Sequence, residues 1–183
     1  MQLSPVGQFV SDNLARLGNR AFVVPTIPPR QLGNAATSIA NGISHHEVIG
    51  VLDITIWGSA KDGFVFTNDS VWIKPFLGST RRYNYRDLQS ASGGTSFITI
   101  HCTDGTAHKI DSGTKDTGAI VIFLNELIAI AQDVNRGSDT PAAVGGETVA
   151  RCSGCNAKFS GAIGTVINCE WCRKPVKFET PPQ

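Results

Sequence analysis

The stretch Gly63-Phe64-Val65-Phe66-Thr67-Asn68-Asp69-Ser70-Val71-Trp72-Ile73-Lys74 decides the class of fold. Two short runs of aromatic and β-branched residues, Phe64–Thr67 and Val71–Lys74, flank the turn pair Asn68-Asp69, which is how a β-hairpin reads. Working outward, the Val/Ile/Thr-rich segment Val48 to Trp57 predicts a strand before it. Arg81–Tyr85 and Phe97–Cys102 predict strands after it, and Asp104-Gly105 is a hairpin signal leading into Ala107–Ile110. Short strands at regular spacing with no helices between them predict an antiparallel barrel or sandwich.

Further along, the period changes from two to that of a helix. Ile120, Leu124, Leu127, Ala131 and Val134 recur at helical spacing, and Phe123, Ile128 and Ile130 widen the stripe. Asp116 or Thr117 suits the cap of this helix, and Gly137 lies just past its end. The main domain, residues 46–135, is therefore expected to be mainly β and closed by a C-terminal amphipathic helix. Upstream, Ser4 and Pro5 start a helix whose apolar face is Val6, Phe9, Val10, Leu14 and Leu17, and a second helix is expected near 30–43. Residues 1–45 are read as a helical segment packed on the main domain.

The chain has 183 residues, with 16 Lys+Arg against 15 Asp+Glu, for a formal charge of +1. No large basic field exists to drive sequence-blind binding to nucleic acid by the whole chain. The most apolar stretch, Ala119 to Ala131, is broken by Asn125 and Glu126 and is shorter than the ~20 residues a membrane span needs. The start lacks the basic-then-apolar order of a signal peptide, so a cytoplasmic location is expected. Residues 136–150 are small, polar and Gly/Pro-containing, as in a linker, and the tail 179–183 is expected to be loose.

Four of the five cysteines lie in the last third, as Cys152-x-x-Cys155 and Cys169-x-x-Cys172. Each pair can bend into a tight turn that aims two sulfurs at one point. Two such turns give four thiolates in a tetrahedral array, which suits one structural Zn²⁺ and leaves no open position for a catalytic water. Two pairs without a surrounding βαβ unit argue against a redox motif. Residues 151–178 are read as a zinc ribbon whose metal supplies most of its folding free energy. Cys102 stands apart on a predicted strand, as a buried thiol.

The turn Gly58-Ser59-Ala60-Lys61-Asp62-Gly63, the apolar strand ending at Thr67 and the aromatic strand through Trp72 resemble the bacterial PH-like (pleckstrin-homology superfold) domains, and Tyr85-Arg86-Asp87-Leu88 is similar to their "Y-x-D-I" segment. Arg151–Ala157 is similar to the first knuckle of zinc ribbons, with Asn156 where Gly is usual. Cys169-Glu170-Trp171-Cys172 resembles the second, with Arg173 where Gly is usual. The resemblance implies a protein-interaction or membrane-associated module rather than an enzyme.

Arg81, Arg82 and Arg86, interleaved with Tyr83 and Tyr85, form the densest basic cluster. It is a candidate contact for an anionic membrane, with Arg82 and Arg86 expected on one strand face. Lys174 and Lys177 could contact nucleic-acid phosphates beside Trp171. His101 and His108 face each other only if the Asp104-Gly105 turn has two residues. A three-residue loop instead pairs Ile98 with Ile110 and gathers Ile98, Ile100 and Ile110 on one face, and that register buries more apolar surface. His45 and His46 are neighbours that alone would bind a metal weakly. Gly93-Gly94 lacks the lysine and spacing of a phosphate loop. The expectation is a non-enzymatic adaptor that binds a protein partner. Peripheral attachment to an anionic membrane, nucleic-acid binding by the ribbon and homodimer formation through a sheet edge are kept as alternatives.

Overall fold

The computed structural model describes residues 2–112, 117–139, 147–153, 155, 158–162, 166–169 and 174–177. It separates into two compact units, Met1–Asn135 and Arg136–Gln183.

The first unit begins with helix α1 (Pro5–Asn13). The Ser4 hydroxyl accepts the Gly7 N–H at 3.0 Å, and the proline at the first helical position needs no amide partner. Val6, Val10 and Leu14 are buried. Strand β1 (Ala21–Val23) and helix α2 (Pro29–Asn34) follow, with a wider helical turn over Ala35–Ile39. Strands β2 (Gly50–Asp53), β3 (Gly63–Phe66), β4 (Ser70–Lys74) and β5 (Arg81–Asn84) complete a five-stranded antiparallel sheet in the order β1-β2-β3-β4-β5. A second antiparallel sheet consists of β6 (Leu88–Gly93), β7 (Phe97–Cys102) and β8 (Ala107–Asp111). Helix α3 (Gly118–Asp139) follows.

One apolar core joins these elements. Phe64, Phe66 and Ile73 come from the first sheet and Leu88, Ile98 and Ile100 from the second, while Phe123, Leu124 and Leu127 come from α3. The Phe66 and Phe123 rings pack edge to face at 5.6 Å between centroids. Helix α3 contains an 18-residue window, Gly118–Asn135, apolar enough by length and composition to cross a membrane. Its Ile120–Ala131 stripe is buried on the two sheets. A smaller cluster of Ile27, Ala35, Ile39, Val48, Val51 and Val65 lies on the other face of the first sheet, beneath α2.

Several expectations are corrected. Residues 1–45 are not purely helical, because Phe22 pairs with Val51 and makes β1 a strand of the first sheet. The strand expected from Val48 to Trp57 stops at Asp53, whose carboxylate bonds the Thr55 N–H (2.8 Å) and hydroxyl (2.6 Å) and turns the chain. Strand β6 forms where the sequence predicts none, since LQSASG has no alternating apolar pattern. The two sheets do not close into a barrel: β5 and β8 are each the last strand of their sheet. The expected linker 136–150 is partly structured, because α3 runs through Asp139 and β9 (Glu147–Arg151) begins before 150.

In the second unit, β9 pairs with β10 (Lys158–Ala162), and β11 (Val166–Asn168) pairs with β12 (Pro175–Lys177), both antiparallel.

Candidate metal centre and surface sites

Two hairpins position the cysteines. Arg151 pairs with Lys158, so Cys152 and Cys155 fall in the loop between β9 and β10. Asn168 pairs with Pro175, so Cys169 opens the loop between β11 and β12, where its N–H donates to the Lys174 carbonyl at 2.8 Å. The Sγ atoms of Cys152, Cys155 and Cys169 all lie within 4.8 Å of one another. Cys155 and Cys169 are 3.4 Å apart, far longer than the ~2.05 Å of a disulfide. Sulfurs bound tetrahedrally at ~2.3 Å sit about 3.8 Å apart, so the three thiols have the spacing of a thiolate metal site. Cys152 and Cys169 are buried and Cys155 is exposed. This three-cysteine group can hold a metal ion. Cys172, the fourth expected ligand, lies outside the described residues, as do Trp171 and Arg173. Lys174 and Lys177 are exposed.

The basic cluster of the first unit is divided by its neighbours. Arg82 donates to Asp69 at 3.0 Å and to the Ser70 hydroxyl at 3.1 Å, and its guanidinium lies 5.4 Å from the Trp72 ring centroid. Burial pushes the Asp69 carboxyl up. Hydrogen bonds from Thr67 and Ser70, together with the Arg82 charge, outweigh this and hold it below the usual carboxylate range. Arg86 sits in a short 3₁₀ turn, Tyr85–Asp87, rather than on β5, so it does not share a strand face with Arg82. It lies 3.8 Å from Asp87. Arg81 opens β5 with no carboxylate in ion-pair range among the described residues.

Between the unpaired edges of β5 and β8 lies a cleft of about 610 Å³, lined by Arg81, Tyr83, Cys102, Thr106 and His108 among others. Tyr83 and His108 meet there at 5.6 Å between ring centroids, and both Tyr83 Oη and His108 Nδ1 are buried without a hydrogen-bond partner among the described residues. Burial pushes the Tyr83 phenol up, and the Arg81 guanidinium opposes that. Sequence reading missed this cleft because it depends on which strands remain unpaired.

The histidine pair expected only for a two-residue turn does not form. Ile98 faces Ile110, His101 faces Ala107, and His108 faces Ile100, the register of a three-residue loop with Gly105 at φ +83°. Ile98, Ile100 and Ile110 are all buried. His101 Nε2 instead lies 2.9 Å from Ser92 Oγ across β6 and β7. Ser92 is exposed and His101 half-buried, and no carboxylate orients the imidazole among the described residues, so this pair lacks the third member of a nucleophilic triad. His45 and His46 are exposed in a short turn capped by Ser44 and Glu47.

No family model, curated protein or solved structure matches this chain.

Proposed function

We propose that the chain is a non-enzymatic adaptor of two binding modules. The first, over residues 46–135, is a PH-like domain: antiparallel strands β2–β8 followed by one amphipathic helix, a reading supported by the resemblance of the turn Gly58–Gly63 and of the strand ending at Thr67. The second is a zinc ribbon in which Cys152, Cys155, Cys169 and Cys172 hold one Zn²⁺. Thiolates are the softest ligands a protein offers, and four of them satisfy zinc completely, so the ion is structural and supplies rigidity rather than Lewis-acid chemistry.

The convergence of the Cys152, Cys155 and Cys169 sulfurs carries this reading. Residues 151–183 hold five Lys+Arg and two Asp+Glu, a balance of +3. Four thiolates on Zn²⁺ contribute −2, leaving the module close to neutral and better suited to a protein surface than to a nucleic-acid backbone. Two modules on one chain gain affinity through effective concentration, so each contact can be weak.

The test is affinity capture of a protein partner by the full-length chain, beside Cys152→Ser and Cys169→Ser variants and a chelator-treated sample. A specific partner retained by the wild type and lost from both variants supports an adaptor whose ribbon makes contact. Equal retention by all samples removes the ribbon from the interaction.

A further inference from the structure

Among the described residues six large apolar side chains are exposed, and four of them crown one end of the first sheet. Asp53 pairs with Gly63, Gly63 with Lys74, and Ile73 with Arg81, so the β2–β3 and β4–β5 connections emerge at the same end. Each connection contains a tight turn with two apolar residues at its corner. Thr55-Ile56-Trp57-Gly58 is closed by the Gly58 N–H on the Thr55 carbonyl, and Pro75-Phe76-Leu77-Gly78 by the Gly78 N–H on the Pro75 carbonyl at 3.1 Å. Turn corners ordinarily carry Gly, Asn, Asp or Ser. Here Ile56 is 64% exposed, Trp57 91%, Phe76 47% and Leu77 90%. Leu77 is also held at φ +59°, a conformation that suits Gly or Asn and strains a leucine.

The first corner is held rigidly. Arg20 donates to the Thr55 carbonyl and, at 3.0 Å, to the Ile56 carbonyl. Gln31 and Asn34 bond the carbonyls of Gly58 and Ser59. Lys74 Nζ ties the β2–β3 connection to the end of β4, bonding the Lys61 carbonyl at 3.0 Å and Asp62 at 2.9 Å. Asp53 is buried and Asp62 is matched by Lys74, whereas exposed Arg20, Lys61 and Arg81 have no carboxylate in ion-pair range among the described residues.

We propose that these two corners are a docking face for an anionic lipid bilayer, with Ile56, Trp57, Phe76 and Leu77 entering the interface and Arg20, Lys61 and Arg81 at headgroup level. Two apolar turn tips flanked by unpaired cations suit a deformable bilayer, which receives each tip independently. An indole at the tip suits the water–hydrocarbon boundary, and cations behind it suit acidic headgroups. A rigid turn has little ordering entropy left to lose on insertion. This surface belongs to the first unit and does not depend on the adaptor reading.

The experiment is co-sedimentation of the full-length chain with vesicles of phosphatidylcholine alone or with about 30 mol% phosphatidylglycerol, at low and moderate salt. The expected result is binding to the charged vesicles that weakens with salt, and a loss of at least about fivefold in Trp57→Ser and in Leu77→Asn. Trp57 is exposed, and asparagine suits the Leu77 backbone, so both variants should keep the wild-type melting temperature or, for Leu77→Asn, raise it. No binding at low salt, equal binding to neutral vesicles, or unaltered binding by the two variants would overturn the proposal. So would self-association abolished by Trp57→Ser without vesicle binding, which would assign the corners to a second copy of the chain.

Discussion

The Asn125 side-chain amide pairs with both backbone groups of Ala91, accepting its N–H at 2.9 Å and donating to its carbonyl at 2.8 Å. Asn125 thus acts as a missing strand neighbour on the outer edge of β6. Two turns further along α3, Gln132 donates to the Leu88 and Gln89 carbonyls at 3.3 Å. Polar residues in an otherwise apolar helix therefore satisfy the edge of the second sheet that α3 covers.

Asn125→Ala strands an N–H and a carbonyl at a covered edge. It should cost about 2–3 kcal/mol in urea unfolding, whereas Gln132→Ala, nearer solvent, should cost about 1 kcal/mol or less. Equal small losses would show that water reaches the β6 edge.

Tyr85 is buried and donates to the Thr67 carbonyl at 3.0 Å. Tyr85→Phe should cost about 1–2 kcal/mol. Burial pushes the phenol well above its ordinary value, opposed by the Thr67 bond and reinforced by Asp69. A folded value above the unfolded one means the contribution is complete below about pH 10 and is lost as pH rises through the folded value. Alkaline unfolding should therefore begin above about pH 10 in the wild type and move to higher pH in Tyr85→Phe, as followed by circular dichroism.

At the acid end the sign reverses. Asp69 is held below the usual carboxylate range, so its contribution is present above about pH 4 and is lost as pH falls toward the folded value. The group is well exposed, so the effect is small. Arg82→Ala should flatten the acid limb of the stability curve slightly. An unchanged limb would show that the Thr67 and Ser70 hydroxyls alone set the carboxylate.

Gly63 lies at φ +141°, and a Cβ there would sit 2.1 Å from the Leu52 carbonyl oxygen. Both the backbone angle and the close approach require glycine. Gly63→Ala should destabilise the first unit by more than about 3 kcal/mol, read as a lower urea midpoint.

The legible parts of the fold were those whose periodicity survives in one segment. Phe64–Phe66, Ser70–Lys74 and the α3 stripe carry their burial pattern in sequence, and the pairing of Ile98 with Ile110 followed from counting buried isoleucines across the turn. Strand β6 was illegible because its partners are the backbone of β7 and the side chains of α3, and its own residues are small and polar. β1 was too short to show a period. The cysteine spacing pointed directly to the three-cysteine group that can hold a metal ion. The Tyr83–His108 cleft and the apolar corners could not be read in advance, since one depends on an unpaired edge and the other on which hairpin ends coincide.

The metal centre is tested most directly by elemental analysis of the purified full-length chain combined with backbone spectroscopy of residues 147–177. The expected result is one zinc per chain, lost in Cys169→Ser together with order in that segment while residues 2–112 stay folded. A metal-free chain whose 147–177 segment remains fully ordered would contradict it.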